Sequence, residues 1–169
     1  MDELASRQLS ALAQLQDMFA SAHIEHWLFG GWAVDFYVGS ITRAHDDIDV
    51  AVWLDDLPRI GELLAADGWS HAPEADEDGG TGYERAGVRL ELTFLVSDAN
   101  GDTFIPLRDR RIPWPRDSFG EDVRELLGVQ ARLISRPSLL RGKSTERDDP
   151  DDALKDRADF RALLSMRQM

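Results

Sequence analysis

A mixed α/β fold is predicted by two hydrophobic periods and one punctuated turn. Residues 4 to 22 place Leu4, Leu9, Leu12, Leu15 and Phe19 at three- to five-residue steps, whereas 47 to 53 and 88 to 96 alternate residue by residue. Between them the apolar run His26-Trp27-Leu28-Phe29 stops at Gly30-Gly31, and Trp32 to Val38 ends at Gly39, which reads as strand, glycine turn and short helix. With 169 residues and 43% hydrophobic content, the chain has material for one well-cored domain spanning 1 to 169.

The elements follow in order. Residues 4 to 22 form an amphipathic helix, with Gln, Ser and Asp between the apolar positions. Asp47 to Trp53 is β-branched where it is apolar and reads as a strand; 56 to 67 is a helix closed by Gly68. Glu74 to Gly80, with Glu74, Asp76, Glu77 and Asp78, reads as a solvated loop. Thr81 to Arg85 and Val88 to Val96, joined by Ala86-Gly87, form a hairpin. Its second strand puts Val88, Leu90, Leu92, Phe94 and Val96 on one face and Arg89, Glu91, Thr93 and Leu95 on the other. Asn100-Gly101 marks a turn, and 106 to 118, with three prolines, is irregular, either a loop that faces substrate or a simple connector. Val129 to Ile134 is a last strand, Pro137 to Arg141 a short helix, and Ala153 to Met166 a terminal helix with Leu154, Ala158 and Leu163 or Leu164 inward.

Composition narrows the function. No run of eighteen apolar residues occurs and the N-terminus is acidic, so a soluble, cytoplasmic protein without a membrane partner is expected. The absence of cysteine excludes disulfides and thiolate zinc sites and leaves hard, magnesium-like cations bound through oxygen. A net charge of -13 opposes a nucleic-acid partner and either suits a neutral or cationic one or serves only to keep the chain in solution.

The chemistry concentrates in Phe29-Gly30-Gly31-Trp32 and Thr42-Arg43-Ala44-His45-Asp46-Asp47-Ile48-Asp49-Val50. Alternation along a strand turns Asp47 and Asp49 to one side, about 6 to 7 Å apart, and Asp46 elsewhere. Like charges so close are disfavoured unless cations or solvent neutralise them. Gly30-Gly31 lets backbone N–H groups at a helix start approach phosphate oxygens. Each feature alone has a plainer explanation, a turn or a solvated strand edge. Glu91 lies on the polar face of a strand whose other face is apolar, where it either lines a wet cleft or pairs with Arg85 or another Arg.

Gly30-Gly31 followed by Asp47-Ile48-Asp49 resembles the signature of the DNA polymerase β-like nucleotidyltransferase superfamily. The longer run Trp27 to Asp35 with Thr42 to Asp49 is similar, more narrowly, to the aminoglycoside and lincosamide nucleotidyltransferases of antibiotic resistance. Leu139-Leu140-Arg141-Gly142-Lys143 and Lys155-Asp156-Arg157-Ala158-Asp159-Phe160 resemble their closing segment. The resemblance covers most of the chain and implies an α/β (α+β) fold: a mixed β-sheet core flanked by helices over about 20 to 100, with a helical C-terminal segment over about 119 to 166 closing on the nucleotide. It makes Asp47 and Asp49 the metal-binding pair for magnesium, two ions being expected. Glu91 becomes the third carboxylate, more usually Asp in these families, as base or ligand. Gly30, Gly31 and Arg43, with Lys143, Lys155 and Asp156, would hold ATP or another nucleoside triphosphate. The acidic insert Asp148 to Asp152 bears on how that segment packs.

The implied reaction transfers a nucleoside monophosphate, AMP if the donor is ATP, to a hydroxyl of a small molecule, an aminoglycoside or lincosamide by the resemblance, with release of pyrophosphate. Two other readings stand beside it: a catalytically silent nucleotide-binding or antitoxin-like module of the same fold, and an acidic interaction protein. The acid triad speaks against the first and the Gly-Gly turn against the second.

Overall fold

The structure is a computed structural model that describes residues 1–145 and 147–166. Helix α1 (Glu3–Ser21) is started by Asp2, whose carboxylate accepts from the Ala5 N–H at 2.7 Å, and buries Leu9, Leu12, Leu15 and Phe19. Strand β1 (His26–Phe29) runs directly into α2 (Gly30–Val38), which ends at Gly39 in the left-handed conformation. Strand β2 (Ile48–Trp53) precedes α3 (Leu57–Ala66), and β3 (Ser70–His71) leads to the β4 (Gly80–Arg85) and β5 (Val88–Ser97) hairpin. Ala86 and Gly87 both have positive φ, as a tight two-residue connection requires.

The sheet order is β1-β2-β5-β4-β3. Strands β2 and β5 are parallel and the other neighbours antiparallel, so the sheet is mixed as expected. One register row crosses it: Phe29 on Asp49, Asp49 on Glu91, Glu91 on Gly82. That row carries the site. Beneath it, Phe19, Trp27, Trp32, Phe36, Ile48, Leu90, Leu92 and Leu133 form a continuous apolar core with α1 against one face of the sheet.

Three segments differ from expectation. The stretch 106 to 118 is not irregular: β6 (Thr103–Pro106) and β7 (Arg111–Pro113) extend the sheet from the end of β5, followed by a 3-10 turn at Arg116–Ser118. Pro106 and Pro113 close their strands, where a missing N–H costs little. A second hairpin, β8 (Val123–Leu126) and β9 (Val129–Arg132), turns at Leu127-Gly128; β8 escapes prediction because its first three residues are exposed and show no alternation.

The C-terminal helices are longer than expected, and the last is turned differently. Helix α4 (Arg136–Ser144) runs through Gly142, and α5 (Pro150–Ser165) begins in the acidic insert. Asp149 caps α5, its carboxylate accepting from the N–H groups of Asp151 and Asp152, whose charges favour the helix start. The inward face is Asp156, Asp159 and Leu163, while Leu154 and Leu164 are exposed at 59% and 56% and Ala158 faces solvent. Cations supplied by other elements make an acidic face the buried one. No helix among the described residues is long and apolar enough to cross a membrane.

Candidate active site

Strand β2 begins at Ile48, so Asp47 stands at its mouth and Asp49 two residues inside, on the same side. Gly30, with φ +71°, opens α2 directly against Asp49: a Cβ built on it would strike the Asp49 carboxylate. Burial, and then the charge of Asp47, pushes the Asp49 carboxyl up to about 8, against the pull of Lys143. Burial and Asp46 also raise Asp47. Glu91 lies beside Asp49 in register and is pushed up to about 7 by burial and a hydrogen bond with Glu77. It is also paired, though not with Arg85: Arg89 Nε donates to Glu91 Oε1 at 2.6 Å, while Arg85 reaches Asp67.

Burial and mutual repulsion disfavour the ionised forms of Asp47 and Asp49, and a bound cation would favour them. Asp47 and Asp49 fit a hard divalent ion whose remaining ligands come from phosphate and water. Among the described residues no three His, Asp or Glu side chains converge as a complete cage, because Glu91 is turned toward Arg89 and Glu77.

The loop between α2 and β2 is held by residues the sequence did not single out. Buried Asp35 accepts from the Thr42 hydroxyl at 2.6 Å and the Thr42 N–H at 3.1 Å, and lies 2.5 Å from His45 Nε2. Gln8 donates to the His45 carbonyl at 3.0 Å, and the His45 ring packs on Trp32. A Cβ on Gly31 would sit 2.6 Å from His45 Nδ1 and 2.5 Å from Arg43 Nη2, so glycine lets the loop close. The signal available was Asp35, ten residues before His45.

The C-terminal helices bring a charge network against this loop. Arg43 does not face open space: Nε and Nη2 donate to the two oxygens of Asp159 at 2.9 Å each, and Nη1 to the Ala44 carbonyl. Lys143 Nζ lies 2.9 Å from Asp159 and 3.2 Å from Asp156, and Arg147 Nε donates to Asp156 at 2.6 Å. Lys155 pairs with exposed Asp46 at 2.5 Å and holds its pKa low. Asp156 is thus a partner for two cations.

Two clefts flank the acids. One, of about 550 Å³, is apolar and basic, walled by Trp114, Ile134 and Leu139 with Lys143, Arg141 and Arg147, and floored by Gly30. The other, of about 370 Å³, is acidic, with Asp49 and Glu91 facing Glu74, Glu77 and Asp78. Phe29, Thr93, Ile105 and Ile112 belong to both walls. The 74 to 80 segment, expected only as solvated loop, therefore lines a site. Of the six residues expected to hold nucleotide, the structure sets Gly30, Lys143 and Asp156 on the first cleft and Gly31, Arg43 and Lys155 outside its lining.

A family model described as aminoglycoside-2''-adenylyltransferase matches residues 11–135. A 2''-aminoglycoside nucleotidyltransferase of Klebsiella pneumoniae is 36% identical over 58 residues, which is 34% of this chain and 31% of that protein, so the match spans about a third of the relative. The fold is similar to the lincomycin-bound lincosamide antibiotic adenylyltransferase LnuA (TM-score 0.70, 19% identity, 90% of this chain and 93% of that one). It is also similar to the solution structure of the antibiotic-resistance factor ANT(2'')-Ia (TM-score 0.72, 18% identity, 95% and 84%). The complex of ANT(2'')-Ia with adenylyl-2''-tobramycin matches at TM-score 0.70 and 18% identity over 94% of this chain and 88% of that one.

Proposed function

Since the chain belongs to the aminoglycoside-2''-adenylyltransferase family, we propose that it transfers the adenylyl group of ATP to a hydroxyl of a multiply cationic, aminoglycoside-like antibiotic and releases pyrophosphate. The observation that supports this reading best is the meeting of two oppositely charged clefts along Phe29, Thr93, Ile105 and Ile112, with Asp49 on the acidic side and Gly30, which packs on it, on the basic side. The basic, aromatic-walled cleft suits a nucleoside triphosphate, and the cleft of Glu74, Glu77, Asp78 and Glu91 suits an ammonium-rich acceptor. The occupants named for the structural relatives, lincomycin and adenylyl-2''-tobramycin, are antibiotics, in keeping with this class.

The acceptor oxygen attacks the α-phosphorus and pyrophosphate departs, with negative charge growing on the phosphate oxygens. Lys143 and Arg147 line the cleft proposed for the triphosphate, and Gly30, at the start of α2, belongs to the same lining. Asp47 and Asp49 would hold magnesium-like ions, two in number, which when bound neutralise the phosphates and acidify the acceptor hydroxyl. Glu91 takes the hydroxyl proton: burial and Glu77 keep its pKa at about 7, matched to work near neutrality.

The test is pyrophosphate release by the purified protein with magnesium and ATP across a panel of aminoglycosides and lincosamides. The expected result is a stoichiometric gain of one AMP on an aminoglycoside, read by mass spectrometry. ATP binding without pyrophosphate from any acceptor would establish the silent nucleotide-binding module instead.

A further inference from the structure

We infer that Asp159, buried on α5 and assigned no part in the reaction above, is the positioning residue that fixes the Lys143 amine at the nucleotide cleft and ties it to the loop carrying Asp47. The inference rests on the proposed nucleotide site.

Asp159 is 1% exposed, yet it takes three charged donors: Arg43 Nε and Nη2 at 2.9 Å each and Lys143 Nζ at 2.9 Å. Burial alone would raise its pKa, but the Arg43 hydrogen bonds and the Lys143 charge bring it below the ordinary carboxylate value, so it is ionised near neutrality. The two cations it joins come from different parts of the chain. Arg43 packs against Gly31, four residues before Asp47, and Lys143 comes from α4 and lines the cleft with Gly30. Asp156 completes the grip on Lys143 at 3.2 Å and is itself held by Arg147.

Fold stability is a poor reason for this arrangement. Buried ion pairs contribute little net stability, and well-packed apolar residues of similar size often do better. What a carboxylate offers here is direction. A free lysine amine samples many rotamers, and ordering it on nucleotide arrival would subtract from affinity; held beforehand between Asp156 and Asp159, it is ordered already. Three carboxylates, Asp152, Asp156 and Asp159, balance Arg43, Lys143 and Arg147, but of the three acids only Asp156 lines the cleft, beside Arg141, Lys143 and Arg147, so its wall remains attractive to phosphate.

Charge and geometry make opposite forecasts for Asp159→Asn, which decides the matter. If Asp159 were merely a negative neighbour, its removal would make the site more positive and tighten ATP. If it only stabilised the fold, melting temperature would fall with ATP affinity unchanged. As a positioning residue, its loss weakens ATP binding about tenfold, the scale of one charge-assisted hydrogen bond. The experiment is calorimetric titration of ATP with magnesium into the native chain, Asp159→Asn, Lys143→Met and the double variant, without acceptor. The double variant is expected to bind within twofold of Lys143→Met, because Asp159 acts through that amine. If Asp159→Asn does not fold, Asp159→Glu, which keeps the charge but shifts it outward, is expected to weaken ATP in the same direction. Unchanged or tighter ATP binding in the folded variant overturns the inference. Absence of ATP binding by the native chain overturns the nucleotide site itself, a distinct result.

Discussion

Gly30 has no tolerable substitute. Its φ of +71° is strained for any L side chain, and a Cβ would occupy the space of the Asp49 carboxylate. Gly30→Ala is expected to abolish transfer and to cost on the order of 1–2 kcal/mol of stability from backbone strain alone; assays of turnover and urea unfolding check both, and near-native turnover would break the link between this glycine and the acids. Glu91→Gln is expected to lower kcat roughly a hundredfold with little change in ATP affinity, whereas an effect confined to magnesium affinity would make it a ligand only. At this scale the sequence was informative where chemistry follows from local geometry. Alternation placed Asp47 and Asp49 together and turned Asp46 away, and the polar face of β5 singled out Glu91. It was uninformative for Arg43 and Lys155, because a long cation goes to whichever acid the fold delivers. Asp159 lies 116 residues from Arg43, and Asp46 lies 109 from Lys155.

Helix α5 shows the same limit for a whole element. Its existence was legible, and so was its end; its orientation was not, since Leu154 and Leu164 form the usual inward pattern and instead face water. Hydrophobic periodicity assumes that burial is apolar, and three cations from elsewhere, Arg43, Lys143 and Arg147, reverse that assumption here. The acidic loop before β4 misleads in the other direction, since polar composition reads as solvated whether or not a ligand is meant to replace the solvent. Changing Glu74, Glu77 and Asp78 together to Gln, Gln and Asn is expected to raise the KM of a cationic acceptor at least tenfold with ATP affinity unchanged. It should also flatten the dependence of that KM on salt between about 0.1 and 1 M, where the Debye length falls from about 10 to 3 Å. An unchanged acceptor KM would move the acceptor to another surface.

For the molecule as a whole, the raised acids set a pH dependence. Folding lifts Asp49 from 3.8 to about 8 and Glu91 from 4.5 to about 7. The folded state therefore binds those protons more tightly than the unfolded chain; their contribution is fully present below the unfolded values and is lost as pH rises through about 7 to 8. Asp159, held low, works at the acid end, its contribution disappearing as pH falls through its folded value. In chelator, the melting temperature is expected to fall by several degrees between pH 6 and 8.5, and Asp49→Asn to remove most of that slope; an identical slope in the variant would assign it to general repulsion in a chain of net charge -13. Because Phe29, Thr93, Ile105 and Ile112 wall both clefts, a product that joined donor fragment to acceptor would span the ridge and occupy both sites at once. Under the proposed transfer, each half of that product would raise the effective concentration of the other and make it a bisubstrate ligand. The modified antibiotic should compete with both substrates and pyrophosphate with the nucleotide alone. If that product leaves slowly, a burst of pyrophosphate is expected in the first cycle, and a linear onset would place the slow step elsewhere.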